Sequence, residues 1–259
     1  MTYQETDLMA KIDRFLADAG VDAADPAALN AFDHYHAGGS DAVELLIPSL
    51  GVSADDTVLD VGAGFGGPAR QIAFRTGARV VGVDITGSYV DVATTLTRRC
   101  GLGDRVSFHE VDIADFRPEQ PADAAITMHV QMNVADKAAW YGEIADRLAD
   151  GGRLAVWEVC RTGDAQPSWP MPWSLDGTDS FLTTPAELEA AIVASGFEAV
   201  EWEDATAWVN EWFAAIQAGG PPAGPALLDD GFTRVLNYAA GLADGTIVVR
   251  RGSFVKQGR

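Results

Sequence analysis

Apolar residues recur with two different spacings along this chain, and the alternation between them predicts the order of its elements. Short runs rich in valine and isoleucine are separated by longer segments in which apolar residues return every three or four positions. The short runs predict buried strands, and the longer segments predict helices with one buried face. The predicted strands lie at 57–61, 79–83, 106–110, 124–128, 153–160, 197–203 and 246–255.

Helices are predicted between these strands, near 67–76, 88–100 and 137–149. Asp150-Gly-Gly152 is predicted to end the third, since glycine adopts the left-handed conformation common after helices. Thr184-Pro-Ala-Glu187 combines a cap, a first-turn proline and a capping-box acid, which predicts a further helix before the sixth strand. This alternation is typical of a parallel sheet with crossover helices, and we expect the last strand to lie antiparallel at or near the sheet edge.

The amino-terminal region is predicted to form a helical cap. Met9 to Ala19 has the spacing of an amphipathic helix, Asp25 is placed to cap a short helix, and Ser40 is placed to cap a third that reaches Leu50. Between them, Phe32-Asp-His-Tyr-His-Ala-Gly-Gly39 mixes aromatic and titratable groups with two glycines, which is unusual for a surface linker.

The carboxyl-terminal region is predicted to contain two helices before the last strand. The first holds Trp208 and Trp212, four residues apart, which indicates packing in the core or in a dimer. A Gly/Pro loop from Gly219 to Pro225 separates it from the second helix, and we interpret this loop as a turn within one domain.

The charge of the chain excludes several partners. With 18 basic and 38 acidic side chains its formal net charge is −20, which repels nucleic-acid phosphates and anionic membrane surfaces. The sequence has no long apolar run and begins with an acidic segment, so we expect a soluble, cytoplasmic protein without a membrane partner. Neither Cys100 nor Cys160 lies in a metal-ligand spacing, and no metal is predicted.

A glycine-rich loop follows the first predicted strand, in the sequence Val58-Leu-Asp-Val-Gly-Ala-Gly-Phe-Gly-Gly67. Glycine permits both the turn and the close approach of a bare backbone to a nucleoside-bearing ligand. Gly62, Gly64 and Gly67 also satisfy the dinucleotide pattern G-x-G-x-x-G, so the loop alone does not exclude a nicotinamide-dependent oxidoreductase.

Three acids distinguish the two ligands. Asp60 stands just before the glycines, where an incoming pyrophosphate would meet a like charge but a cationic sulfonium ligand would not. Asp84 closes the second strand, well placed to accept ribose hydroxyls, and Asp112 follows the third strand, where an adenine amino group can bind. The ordered set favours a ligand without phosphate.

Asp60-Val-Gly-Ala-Gly-Phe-Gly66, Gly82-Val-Asp84-Ile and Glu110-Val-Asp112-Ile resemble the successive cofactor motifs of the class I S-adenosylmethionine (SAM)-dependent methyltransferases. The resemblance implies SAM as cofactor, with Gly62 and Gly64 at its methionine part, Asp84 at the ribose, and Ile85, Asp112 and Ile113 at the adenine. The predicted cofactor-binding residues are Asp60, Gly62, Ala63, Gly64, Asp84, Ile85, Asp112, Ile113 and His129.

The resemblance also implies a fold. It is a Rossmann-like α/β domain spanning residues 1–259, with a seven-stranded, mostly parallel sheet, helices on both faces and an antiparallel last strand. We expect a helical cap at 1–50, a cofactor-binding core at 51–165, and an acceptor-side lid with the final elements at 166–259.

The methyl acceptor is expected beside the loop after the fourth strand, His129-Val-Gln-Met-Asn133, because ligands lie beyond the carboxyl ends of the strands. This loop resembles that of the sarcosine and dimethylglycine N-methyltransferases and their relatives. His129 and His36 are the candidate catalytic bases, with a structural role as the alternative for each. Asn133, Trp169 and Trp173 are predicted to bind substrate, and core packing is the alternative for the tryptophans.

Methyl transfer from a sulfonium is an in-line displacement that needs mainly alignment and exclusion of water. We expect O- or C-methylation of a small molecule in specialised metabolism, because the aromatic loop suits an apolar acceptor. N-methylation of a small amine or amino acid of the sarcosine type is the main alternative. Two further alternatives are an NAD-dependent oxidoreductase and a protein that binds the cofactor without methylating. The sequence is compatible with either a monomer or a homodimer.

Overall fold

A computed structural model describes residues 8–30, 32–219 and 230–258 of the protein. The helices in chain order are α1 (Leu8–Ala19), α2 (Pro26–Leu29), α3 (Gly39–Leu50), α4 (Gly67–Thr76), α5 (Gly87–Arg99), α6 (Lys137–Asp146), α7 (Pro185–Ala194), α8 (Thr206–Gly219) and α9 (Gly231–Asp244). The strands are β1 (Thr57–Val61), β2 (Arg79–Asp84), β3 (Val106–Glu110), β4 (Ala122–Met128), β5 (Leu148–Arg161), β6 (Phe197–Asp204) and β7 (Ile247–Lys256).

The seven strands form one sheet in the order β3-β2-β1-β4-β5-β7-β6. The pairs from β3 to β5 are parallel, whereas β7 runs antiparallel to both of its neighbours. This arrangement confirms the predicted Rossmann-like fold with an antiparallel last strand. β7 lies one strand in from the edge, because β6 pairs on its outer side.

Helices cover both faces of the sheet, since its inner strands have apolar side chains on both sides. One core cluster packs α3, α4 and α9 on the sheet around Val58, Ala124 and Trp157. The other packs α6 and α7 on the opposite face around Leu59, Ala125 and Val156. Neighbouring residues of one strand therefore enter different cores, as alternation along a strand requires.

The amino-terminal helices and several caps agree with the sequence. Asp25 caps α2 by accepting from Ala27 N at 2.9 Å, and Thr184 and Glu187 form the predicted capping box of α7. The cap of α3 was predicted wrongly: Gly38, at φ 90°, precedes the helix, and Ser40 lies in its first turn. Only glycine suits that position, because its conformation is left-handed and the Trp208 ring lies where a Cβ would stand.

The boundary between α6 and β5 was also predicted wrongly. The helix ends at Asp146 and the strand begins at Leu148, so Asp150-Gly-Gly152 belongs to an irregular stretch of β5. Leu148 is buried and pairs with Ala122, and the register then shifts before Ala124 pairs with Arg153. Burial of Leu148 in the sheet therefore ends the helix before the glycines are reached.

Residues 220–225 of the predicted Gly/Pro loop lie outside the described residues, and Gly219 is the last residue of α8. Within the described ranges, no helix is both long enough and apolar enough to cross a membrane.

Candidate active site

A cavity of about 370 Å³ lies at the carboxyl ends of β1, β2 and β4, where the strand order reverses between β1 and β4. Ligands of open parallel sheets bind at such a switch point. The cavity is bordered by the glycine loop (62–67), the β4 loop (129–133) and residues 32–39, which we call the strap. Its lining includes every predicted site residue except Trp169: His36, Asp60, Gly62, Ala63, Gly64, Asp84, Ile85, Asp112, Ile113, His129, Asn133 and Trp173.

The glycine loop turns back over the end of β2. Gly62 N and Ala63 N both donate to Val83 O, at 2.8 and 3.1 Å, and Gly64 N donates to Asp84 Oδ2 at 2.9 Å. Gly62 and Gly64 have φ angles of 80° and 53°, which L side chains rarely adopt. The loop conformation thus depends on glycine at both positions.

The two glycines differ in what lies beside them. A Cβ at Gly62 would stand 2.5 Å from Val130 Cγ2, whereas a Cβ at Gly64 would have no atom within 4 Å. Gly62 therefore lets the β4 loop pack against the glycine loop. Gly64 leaves open space toward the cavity.

Asp84 and Asp112 occupy the ends of β2 and β3. Asp84 Oδ1 accepts from Thr86 N at 2.9 Å, so both of its oxygens bind backbone, and burial raises the pKa of its carboxyl. Asp112 is exposed, and its Oδ1 accepts from Ala114 N at 2.9 Å. Of the two isoleucines, Ile113 is buried and Ile85 is 67% exposed, leaving its side chain available to cover a flat ligand.

Asp60 is buried beneath the glycine loop. Its Oδ2 has no hydrogen-bond partner. Burial, and then the charge of Asp84, raise the pKa of Asp60 to about 7, against the opposing effect of Arg70. Because an unpaired buried carboxyl favours a nearby positive charge, this end of the cavity suits a cationic ligand.

The strap is fixed to the core by a buried ion pair. Arg70 Nη2 donates to Asp33 Oδ2 at 2.6 Å and to Phe65 O at 2.7 Å, and Arg70 and Asp33 are 1% and 3% exposed. Further along the strap, Ala37 O accepts from Trp157 Nε1 at 2.9 Å. The strap thereby forms a wall of the cavity that the glycine loop and β5 hold in place.

Two tryptophans of α8 hold the other end of the strap. The Trp208 ring lies against Gly38, and the Trp212 ring lies against Gly39. The interpretation of these tryptophans as packing residues is consistent with their position, because Trp208 also contacts Trp157 in the core, with ring centroids 5.6 Å apart.

His129 and His36 face each other in the cavity, between the β4 loop and the strap, with ring centroids 6.2 Å apart. Burial, and then repulsion between the like positive charges that His36 and His129 would carry, lower the pKa of His129 well below its usual value. Burial, and then His34, lower the pKa of His36 to about 3. The Nε2 atoms of both rings are buried without a partner, so two neutral imidazoles are available to a substrate.

Glu158 holds the β4 loop from below. The carboxyl is buried in β5, and its Oε2 accepts from Val130 N at 3.0 Å and from Gln131 N at 3.3 Å. His129 N donates to Trp157 O at 2.8 Å, and His129 adopts a left-handed φ of 55°, which turns the next two N–H groups toward Glu158. The orientation of His129 thus depends on Glu158.

The tryptophan segment is divided between cavity and packing. Trp173 is buried at the cavity and donates from Nε1 to Ser180 Oγ at 2.9 Å. Trp169 packs edge-on behind it, with centroids 6.4 Å apart, and is not among the lining residues. Asn133 is exposed at the rim.

Sequence reasoning missed three residues of this region: Glu158, Tyr238 and Arg70. Glu158 is a lone acid in the apolar run Leu154–Cys160, and that signal was available. Tyr238 of α9 contacts His129 and Trp173, with centroids at 5.8 and 6.0 Å. Nothing in the local pattern of α9 distinguishes it from a core residue.

The cavity fits SAM on these observations. It has a bare backbone at Gly64, a buried carboxyl at Asp60 with one unpartnered oxygen that suits a cationic ligand, and an apolar surface at Ile113. Among the described residues, no group of three or more histidines, cysteines or acids is arranged to hold a metal.

A comparison with family models identifies the domain. The model of a methyltransferase domain matches residues 53–211, which include β1 to β6 and the whole cofactor side of the cavity. This chain belongs to the methyltransferase domain family. The predicted class I methyltransferase and its cofactor, SAM, are thereby confirmed, and the NAD-dependent alternative is set aside.

Several methyltransferases are similar to this family member in sequence. A sterol 24-C-methyltransferase of Eremothecium gossypii is 36% identical over 139 residues, 51% of this chain and 37% of the relative. The methyltransferase GfsG of Streptomyces halstedii is 36% identical over 129 residues, 48% of this chain and 45% of the relative. The chain therefore spans less than half of either protein.

Solved structures share the fold. The geranyl diphosphate C-methyltransferase from Streptomyces coelicolor A3(2), in complex with Mg²⁺, geranyl diphosphate and S-adenosylhomocysteine (SAH), has a TM-score of 0.67 at 21% identity, covering 84% of this chain and 79% of that one. The [4+2]-cyclase SpnF has a TM-score of 0.61 at 25% identity, covering 84% and 81%. The resemblance to the sarcosine group stays a prediction.

Proposed function

We propose that this methyltransferase transfers the methyl group of SAM to an electron-rich carbon of a small, largely apolar molecule. The observation that carries the proposal is the pair of neutral imidazoles of His36 and His129 in the cavity, whose Nε2 atoms are buried without a partner. Sterol and geranyl diphosphate C-methyltransferases among the similar proteins support the same reaction type.

Bound SAM supplies an electrophilic methyl group on a sulfonium. We propose that Gly64 and Asp60 bind its methionine part, that Asp84 accepts from the ribose hydroxyls, and that Ile85, Asp112 and Ile113 border the adenine. The strap and Trp173 exclude water from the acceptor, so the chain contributes mainly alignment.

The weak basicity of the histidines favours carbon over oxygen. A general base works best when its pKa lies near the operating pH, and His36, with a pKa of about 3, is poorly suited to take a proton from an alcohol. Methylation of an alkene instead leaves a cationic carbon whose neighbouring C–H is a strong acid, for which a neutral imidazole suffices. We therefore assign His129 or His36 as the acceptor of that proton.

The test uses SAM with a deuterated methyl group and three acceptor types: an apolar alkene, its saturated alcohol and sarcosine. We expect label on carbon of the alkene, identified by mass spectrometry and NMR. Label on alcohol oxygen or on the amine would overturn the proposal in favour of O- or N-methylation. SAH binding without transfer to any acceptor would instead favour a non-methylating role such as that of the cyclase SpnF.

The base assignment is tested separately with His129→Asn and His36→Asn. Asparagine tolerates the left-handed backbone at 129, so that variant should fold and bind SAH normally. Loss of product without loss of SAH binding supports proton transfer by the substituted ring, and unchanged turnover in both variants contradicts it.

A further inference from the structure

Helix α9 contains a buried arginine, Arg234, with two guanidinium nitrogens that have no hydrogen-bond partner. Arg234 is 4% exposed, and its Nε and Nη1 atoms are buried without a hydrogen-bond partner. No described acid forms an ion pair with it. The other buried arginines are paired: Arg70 with Asp33 and Arg147 with Glu143, at 2.6 and 2.7 Å.

An unpaired guanidinium in the interior is costly, because it loses hydration without gaining a partner. Arginine stays charged at any physiological pH, so it does not escape this cost by losing its proton. The chain has a net charge of −20, yet no acid in the described part of the chain forms an ion pair with Arg234. A bound anion would supply the partner that the Arg234 guanidinium lacks.

Arg234 lies one helical turn from a residue that contacts the lining of the cavity. Residues three and four apart on a helix share a face, so Arg234 lies on the side of Asn237 and Tyr238. Asn237 Nδ2 donates to Pro170 O at 2.9 Å. Tyr238 packs against His129 in a tilted arrangement and against Trp173 edge-on, and both of these residues line the cavity. The buried Tyr238 hydroxyl also has no partner.

Unpartnered polar groups therefore run from the cavity along α9: the Nε2 atoms of His36 and His129, then the Tyr238 hydroxyl, then the Arg234 guanidinium. The first groups lie among aromatic rings, and only the last carries a fixed charge. A molecule that matched this order would react at an apolar end and carry its negative charge at the other.

We propose that Arg234 binds an oxyanion, a carboxylate or a phosphate, carried by the methyl acceptor. The planar guanidinium donates two parallel hydrogen bonds to such a group, and the Tyr238 hydroxyl adds a third. This assignment rests on the proposed methyl transfer, and it specifies the acceptor as an amphipathic anion.

The binding test uses protein saturated with SAH and isothermal titration with octanoate, octyl phosphate and 1-octanol, which share one chain length. We expect at least one of the anions to bind more tightly than the alcohol, and their comparison identifies the preferred oxyanion. Arg234→Gln should weaken binding of that anion by about thirty-fold or more and leave the alcohol unchanged. The exposed Arg75→Gln serves as the matched control.

Equal affinity for alcohol and anions, or equal anion affinity in Arg234→Gln, would overturn the proposal. Inorganic phosphate that bound as tightly as octyl phosphate would also overturn it, since the anion would then not belong to the acceptor. SAH affinity is measured in every variant. Normal SAH binding with no methyl transfer to any acceptor would contradict the proposed function. It would not change the outcome of the comparison between anion and alcohol binding.

A second measurement needs no ligand. If Arg234 is an unpaired buried charge in the ligand-free protein, Arg234→Met removes that charge. The melting temperature of the ligand-free protein should then rise by about 2 °C or more. A fall in melting temperature would show that the guanidinium stabilises the fold, and would overturn the proposal.

Discussion

Replacing Glu158 tests whether a buried carboxyl sets the position of His129. Glu158→Ala removes the acceptor for Val130 N and Gln131 N, which lie at 3.0 and 3.3 Å from Oε2, and leaves both N–H groups without that acceptor. Each unsatisfied N–H costs about 1–3 kcal/mol, so the free energy of unfolding should fall by about 3–5 kcal/mol. Glu158→Gln keeps one acceptor oxygen, and its free energy of unfolding should be about 1 kcal/mol lower than that of the native protein at pH 6.

The two variants should also differ from the native protein in pH dependence. Burial raises the pKa of Glu158 from 4.5 to about 7, so the folded state keeps a proton that the unfolded chain has lost. The resulting stabilisation is complete below the pKa that Glu158 has in the unfolded chain. It disappears as the pH rises through the higher pKa that Glu158 has in the folded protein. As the pH rises from 5 to 8, the free energy of unfolding of the native protein should therefore fall by about 2–3 kcal/mol relative to that of Glu158→Gln.

Urea unfolding at several pH values measures both effects, with the exposed Glu198→Gln of β6 as control. In addition, ¹H–¹⁵N spectra of the histidine rings should show His129 displaced in Glu158→Ala and nearly native in Glu158→Gln. Equal stabilities of these variants at pH 6, or an unmoved His129 resonance in both, would refute the positioning role of Glu158.

Two further predictions concern the strap and the glycine loop. Arg70→Met should lower the free energy of unfolding by about 3–5 kcal/mol, because it leaves Asp33 buried without its partner, and adding Asp33→Asn should recover part of this loss in urea titrations. Gly62→Ala should destabilise the fold, since its Cβ would stand 2.5 Å from a side chain of the β4 loop. Gly64→Ala should mainly weaken SAH binding, as its Cβ enters open space; calorimetry that found equal SAH affinities in the two variants would contradict this distinction.

The sequence predicted the positions of the seven strands because each strand is a short apolar run with turn residues on both sides. It failed where a tertiary contact outweighs a local signal. Asp150-Gly-Gly152 is a good helix stop, but Leu148 is drawn into the sheet first. Ser40 is a good cap, but only Gly38 fits beneath the Trp208 ring. Neither contact is visible from neighbouring residues.

The same limit applies to the site. Asp60, Asp84 and Asp112 were predictable as cavity-lining residues, because each follows a predicted strand and parallel strands end at one edge. Tyr238 and Arg234 approach from a helix more than a hundred residues after His129, and no local spacing relates them. The sequence does not show that α9 packs on the Pro170–Trp173 segment.

The insertion of β7 between β5 and β6 has a consequence for synthesis of the chain. Among the described strands, β6 pairs with β7 alone, although it leaves the ribosome more than forty residues earlier. Until β7 arrives, β6 has no partner strand and the β5 edge stays open to other chains. Sheet formation in the growing polypeptide can therefore proceed from β1 to β5, but its outer two strands must be added together, after translation has passed Lys256.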